Sequence, residues 1–197
     1  MRVLVLYWSF TGNTEMVART IAEAVKESGH GCELMKIGPD LEADWLDYDL
    51  VFIGSPVYEF LPPQNVISYL RNRFHHYRDE REILKPGSPW LGDKFAVAFC
   101  TYAGPHTGIH EAISAVKYME QFFEHLGFFI LDPIMAVGRF NAEALNGKFG
   151  YTREICEKLN RLGRLGDISG RPNQSDLEEV RNRVKGILNF ITATLKL

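Results

Sequence analysis

The sequence predicts an α/β fold: an open parallel sheet with helices on both of its faces. Three observations carry this expectation. Five apolar runs rich in Val, Ile, Leu and Phe, at residues 2–7, 32–37, 50–54, 94–101 and 128–137, lack strict alternation, as do strands covered on both faces. Between them lie stretches whose apolar residues recur at three- and four-residue steps, the spacing of one helical face. The first, third and fourth runs each empty into a loop rich in glycine and hydroxyl residues, and strand exits of this kind are where open α/β sheets bind ligands.

The first strand, 2–7, is followed by SFTGNTE at 9–15 and by a helix whose inner stripe is Val17, Ile21 and Val25. The second strand, 32–37, leads to the third at 50–54, which exits into GSPVYEF (54–60) and a helix marked by Val66, Leu70 and Phe74. The fourth, 94–101, exits into CTYAGPHTG (100–108), and Ile113, Val116, Phe123 and Leu126 mark the helix behind it. After the fifth run, the final helix begins near Ser175. There Ser175 and Glu178 read as a capping box, and Leu177, Val180, Val184, Ile187 and Ile191 follow on one side. Strand–helix alternation of this kind implies right-handed crossovers.

Two segments exceed what such a fold needs, 75–93 and 139–174, and loops of that length are usually functional or partly structured. Within the second, Ile155, Leu159 and Leu162 predict a further helix over 152–162. Within the first, Tyr77, Trp90 and Leu91 suit the cover of a sheet edge and an oligomer contact equally well.

Composition sets the outer bounds. The 197 residues, 46% of them hydrophobic, are the size of one domain spanning 1–197. A formal net charge of −3 gives no reason to expect nucleic acid or an anionic membrane as partner. No apolar stretch reaches the roughly 20 residues of a membrane span, and the chain opens on a core strand rather than a leader, so a cytoplasmic protein is expected. Cys32, Cys100 and Cys156 are widely separated and form no CxxC, which points to reduced thiols.

The chemistry lies at the strand exits. In the first, Gly12 relaxes the backbone, Asn13 and Thr14 lead into a helix, and Ser9, Thr11 and Thr14 offer hydroxyls without one basic side chain. A run of amides at a helix N-terminus holds a phosphate without formal positive charge. Read alone, the same residues serve equally well as an ordinary helix cap. GxxxxGK[ST] and GxGxxG are both absent, which argues against a nucleoside triphosphate or a Rossmann-bound dinucleotide. Gly54 and Ser55 stand where a receiver domain needs an acidic phosphoacceptor, and His106, not arginine, follows Cys100 by six positions where a cysteine phosphatase would close its loop. Tyr58 with Phe60, and Tyr102, then offer two aromatic walls for a flat ring system.

These residues resemble the flavodoxin-like family, through Thr11-Gly12-Asn13-Thr14, the stretch YDLVFIGSPVY at 48–58 and the Thr101-Tyr102-Ala103-Gly104 turn. The resemblance implies a three-layer fold with five parallel strands in the order 2-1-3-4-5. It also implies FMN as cofactor. Ser9, Phe10, Thr11, Gly12, Asn13 and Thr14 would hold its phosphate; Pro56, Val57, Tyr58, Glu59 and Phe60 would form one wall; and Thr101, Tyr102, Ala103, Gly104, His106 and Gly108 would form the other.

Two departures from electron-carrying flavodoxins favour an enzyme. The chain is only slightly acidic, whereas strong acidity steers carriers to basic partners. The loop beside the flavin's N5 has Pro56 and the β-branched Val57 where carriers commonly have a glycine, so a peptide flip that would stabilise the semiquinone costs more. The tryptophan-bearing stretch PGSPWLGDK resembles the quinone-oxidoreductase branch. The expectation is therefore an NAD(P)H-dependent two-electron reductase of quinones or similar acceptors, with NADH or NADPH as donor, no catalytic side chain beyond an auxiliary His106, and a homodimer or homotetramer built through the long loops. A flavodoxin-type electron carrier with a redox-protein partner, and a binding module without FMN, are the alternatives.

The remaining titratable residues read more plainly. His106 and His110 beside Glu111 do not make a metal motif, because Ser114 stands where HExxH needs its second histidine. His75 and His76 end a helix, where cations suit the dipole. Cys100 reads as a small core residue whose place at the crevice would also suit a redox-sensitive thiol.

Overall fold

The computed structural model describes residues 1–84 and 87–195. Strands and helices alternate as the periodicity requires: β1 (Arg2–Tyr7), α1 (Asn13–Glu27), β2 (Gly31–Lys36), β3 (Leu50–Pro56), α2 (Gln64–His75), β4 (Phe95–Tyr102), α3 (His110–His125), β5 (Phe129–Ile130), β6 (Ile134–Val137), α4 (Ala142–Leu145), α5 (Arg153–Leu162) and α6 (Gln174–Leu195). Among the described residues the strands of the sheet pair in parallel, in the order β2-β1-β3-β4-β5, with β6 also beside β4.

The order 2-1-3-4-5 is thus the expected one, but the fifth run is interrupted. Phe129 and Ile130 pair with Phe95 and Ala96, and pairing resumes only at Ile134 with Phe99. Three residues therefore face two on β4, a bulge-like mismatch in which Pro133 has no N–H to give to the ladder.

Alternate strand residues feed two cores. Leu4, Leu6, Val51 and Ile53 pack beneath Val66, Leu70, Met119 and Phe123 of α2 and α3, while Val3, Val5, Phe52 and Val97 pack beneath Val17, Ile21, Val184 and Leu188 of α1 and α6. Each such aliphatic side chain is worth roughly 1.5–3 kcal/mol when fully buried. Gly54 of β3 sits opposite Phe99 of β4, and a Cβ there would lie 2.1 Å from the Phe99 ring. Close approach, not backbone freedom, requires this glycine.

The segment after α2 belongs to the interior more than its loop reading suggests. The helix runs on as a π-helical turn, His76–Glu80, and the fully buried Tyr77 accepts a hydrogen bond from the Trp45 amide (2.6 Å) while donating to Asp44 Oδ1 (2.9 Å). Trp90, by contrast, is 78% exposed. His75 and His76 each meet a carboxylate four residues on, Asp79 at 3.4 Å and Glu80 at 2.6 Å, so they are paired groups rather than simply solvated ones.

At α6 the capping box lies two residues upstream of its expected place. Asn173 Oδ1 accepts from the Asp176 amide (3.1 Å), and Asp176 Oδ2 accepts from the Asn173 amide (2.7 Å). Asp176 also pairs with Arg171, which favours it over Ser175 and Glu178. Helix α5 forms where predicted, with Thr152 Oγ1 capping the Ile155 amide (3.2 Å). Its buried residues are Cys156 and Asn160, whereas Ile155 and Leu162 face out, Leu162 with 75% exposure. Asn160 decides this by donating to the Phe140 carbonyl (2.9 Å) and accepting the Phe140 amide (2.8 Å). Among the described residues no helix is long and apolar enough to cross a membrane.

Candidate functional site

The exits of β1, β3 and β4 meet at the carboxyl edge of the sheet and, with the segment after β6, enclose a cleft of about 380 Å³. At the first exit Gly12 adopts φ 95, the left-handed conformation that glycine tolerates best, and it is the N-cap of α1. Its amide donates to Ser9 Oγ (3.1 Å), and among the described residues no side chain caps the helix. The first-turn amides of α1 are therefore left for another acceptor.

Not every residue expected at this exit faces the cleft. Thr11 and Asn13 line it, but Thr14 is 1% exposed and shares a 2.7 Å hydrogen bond with the Thr101 hydroxyl, and Ser9 is nearly as buried. Ser9, Phe10, Gly12 and Thr14 are not among the residues that line the cleft, Phe10 instead meeting the Phe149 ring at the mouth.

From the third exit Pro56, Val57, Tyr58, Glu59 and Phe60 all line the cleft. The Val57 amide donates to the Thr101 carbonyl (3.0 Å), and Tyr58 and Leu61 exchange both backbone hydrogen bonds (2.9 and 3.0 Å) around a tight turn. Glu59 and Phe60 at its tip have φ 49 and 72, the mirror-image geometry that normally calls for Gly or Asn. The turn leaves Phe60 59% exposed and Tyr58 Oη buried, without a hydrogen-bond partner among the described residues. Burial pushes the Tyr58 hydroxyl up to about 12, so it stays protonated at neutral pH.

The fourth exit contributes Thr101, Tyr102, Ala103, Gly104 and His106, while Gly108 lies behind and supports the turn. Gly104 (φ 49) packs so tightly that a Cβ would sit 2.5 Å from the Gly108 carbonyl oxygen. Tyr102 is a buried strand residue rather than a free loop aromatic. The Glu111 carboxylate accepts the amides of His106 (2.8 Å) and Thr107 (2.7 Å), so it organises the entry to α3 and leaves the His106 ring exposed at the rim. Among the described residues no histidine, cysteine or carboxylate cluster of three gathers to hold a metal. Cys100 lies wholly buried beneath the cleft, its thiol pushed up to about 12 by burial, which removes the thiolate a redox sensor needs.

The aromatic that faces Tyr58 is Phe149, at 6.4 Å between ring centroids, in the segment after β6. Phe149 also meets Phe10 edge-on at 5.8 Å, and Trp8 meets both Phe10 and Tyr58. Arg139, Phe140, Leu145 and Tyr151 line the same side. None of the lining residues from the segment after β6 was expected. The available signal was the Asn146-Gly147 turn pair followed by Phe149-Gly150-Tyr151, aromatics in an otherwise polar stretch.

Residues 4–84, from β1 to just past the π-helical turn, match the flavodoxin domain family. Comparison with curated proteins finds no match. Among solved structures, flavodoxin 2 from Bacillus cereus superposes with a TM-score of 0.62 at 16% identity, covering 96% of this chain and 99% of that one. A flavodoxin, WrbA-like protein from Agrobacterium tumefaciens gives 0.59 at 14%, covering 98% of each chain. The rubredoxin oxygen:oxidoreductase of Desulfovibrio gigas gives 0.61 at 16%, with all of this chain spanning 37% of that protein. At these identities the likeness is one of fold, and the fold is flavodoxin-like.

Proposed function

We propose that this flavodoxin-like chain binds FMN in the cleft and acts as an NAD(P)H-dependent two-electron reductase of quinones or similar acceptors. The observation that carries the cofactor reading is the convergence of three strand exits on one cleft, beside which a buried polar group, Tyr58 Oη, has no hydrogen-bond partner among the described residues. A phosphate suits the α1 N-terminus, where no side chain among the described residues caps the first-turn amides and Ser9 Oγ, having accepted the Gly12 amide, keeps its own proton to donate. A flat ring suits the space between residues 56–60 and 101–106, where Tyr58 Oη could meet a polar ring edge.

FMN, when bound, supplies reversible uptake and release of electrons, so no side chain need act as acid or base. The chain's task is to position the ring and exclude water, for which the cluster of Trp8, Phe10, Tyr58 and Phe149 at the mouth is suited. His106 at the rim could donate to an acceptor oxygen.

The pinned third exit supports two-electron chemistry. With the Val57 amide held by Thr101 and the Tyr58–Leu61 turn closed by two hydrogen bonds, reorienting a peptide there breaks a bond already made. The near-complete overlap with flavodoxins favours the second reading, an electron carrier to a redox protein. Exposed Trp90 and Leu162, one in each long segment, are consistent with assembly into a homodimer or homotetramer, which light scattering would measure.

The test is reconstitution with FMN, then anaerobic absorbance titration with a stepwise reductant and separately with NADH or NADPH. Direct two-electron bleaching by the nicotinamide is the expected result. A large one-electron phase with no response to nicotinamide would mean a carrier, and no flavin uptake would leave a binding module.

A further inference from the structure

The segment after β6 is fastened to the loop that opens α1. Asn13 Nδ2 donates to the Arg139 carbonyl (2.8 Å), and Asn141 Nδ2 donates to the Thr11 carbonyl (3.1 Å). Gly138 lies so close that a Cβ on it would stand 2.8 Å from Asn13 Nδ2.

Past these fastenings the chain makes a tight turn in which Tyr151 donates its amide to the Lys148 carbonyl (2.9 Å), with Phe149 and Gly150 at φ 54 and 77. A phenylalanine is a poor choice for a left-handed position. Its placement here turns the ring onto Phe10 and Tyr58 and sets the Lys148 ammonium 4.8 Å from the centroid of Phe10. Phe10 belongs to residues 9–14, which contain no basic side chain.

We propose that residues 139–151 form a fourth wall of the cofactor site and that Lys148 supplies the positive charge residues 9–14 lack, binding the flavin's phosphate. This rests on the FMN reading. The backbone amides of α1 offer direction but only partial charge. An ammonium brought from a segment more than a hundred residues away in sequence adds a full charge, and because it is solvent-accessible its effect falls with salt. Phe149, which meets rings and not the anion, contributes to any flavin alike.

The distinction between charge and packing makes the test. FMN and riboflavin, which differ by the phosphate, are titrated by fluorescence quenching into the wild-type chain, Lys148→Ala and Lys148→Arg, at low and high salt. Lys148→Ala is expected to weaken FMN roughly tenfold, the scale of one charge-assisted contact, and riboflavin by less than about twofold. Lys148→Arg is expected to restore FMN binding, and high salt to shrink the difference between wild type and Lys148→Ala. Equal loss for both flavins, or undiminished FMN binding, would mean that Lys148 only packs on Phe10 and would overturn the proposal. A wild-type chain that binds neither flavin would overturn the cofactor reading itself, and this proposal with it. Lys148 is exposed, and matched circular dichroism spectra establish that the variants fold.

Discussion

Thr14 and Thr101 share a 2.7 Å hydrogen bond between buried hydroxyls, joining the loop that opens α1 to the end of β4. The first and fourth exits thus hold each other at a set distance, and the cleft between them is built into the fold rather than left to loop motion.

This pair predicts a non-additive pattern. Thr14→Val or Thr101→Val alone strands a buried hydroxyl and is expected to cost about 1–3 kcal/mol, whereas the double substitution removes both partners and is expected to cost less than the sum. Urea denaturation of the four proteins measures the coupling, and additive costs would deny that the bond matters.

A second prediction concerns the floor of the cleft. Gly54→Ala drives a methyl into the Phe99 ring, and overpacking of that kind costs about 1–3 kcal/mol or more. Adding Phe99→Leu opens space and is expected to recover part of the loss in thermal denaturation. An unchanged melting temperature for Gly54→Ala would mean that β3 and β4 separate easily.

The fold was legible because its signals are local. Runs such as Val3 to Tyr7 declare buried strands, and the contiguous Ser9 to Thr14 declares a turn into a helix. The wall formed by Arg139 to Tyr151 was not legible, because it depends on Asn13 and Asn141 reaching across the fold, and nothing in residue spacing records such contacts. The same limit explains α5. Periodicity found the helix from Ile155, Leu159 and Leu162, but Asn160 bonds to Phe140 and rotates that stripe outward. At α6, Ser175 and Asn173 were both competent caps, and Arg171 selected the site through Asp176.

Asp44 gives a pH dependence. Burial pushes its carboxyl up, but the Tyr77 hydroxyl, the Leu46 amide and Arg81 outweigh burial and hold it below its ordinary value of 3.8. A depressed folded pKa contributes stability that is present above the unfolded value and lost as pH falls through the folded one. The stability gap between wild type and Asp44→Asn should therefore be full at neutral pH and close below about pH 4, the ordinary carboxylate range. Urea denaturation across that range checks it, and a gap that widens toward acid would reverse the assignment.

The two buried thiols, Cys100 and Cys156, should be silent in the native state. Burial pushes Cys32 up to about 11 and Cys100 up to about 12, and raises Cys156 as well. With a disulfide reagent near pH 8, the buried Cys100 and Cys156 are expected to react only as fast as the chain unfolds and the half-buried Cys32 slowly but without unfolding, because the thiolate is the reacting form. Rapid stoichiometric labelling of Cys100 would restore a redox role for it.

The tip of the third exit ties backbone geometry to electron count. Glu59 holds φ 49 without glycine's freedom, which costs of order 1 kcal/mol, while the two Tyr58–Leu61 hydrogen bonds keep the turn closed. Glu59→Gly removes that cost, so the chain is expected to be as stable as the wild type or up to about 1 kcal/mol more so. The same change lets the neighbouring peptide sample the orientations that Glu59 resists. In anaerobic titration of the FMN-loaded proteins, the wild type should bleach with little one-electron flavin absorbance and Glu59→Gly should accumulate more of it. If the wild type already accumulates the one-electron form abundantly, the pinned turn does not control electron count, and the carrier reading gains the ground the reductase reading loses.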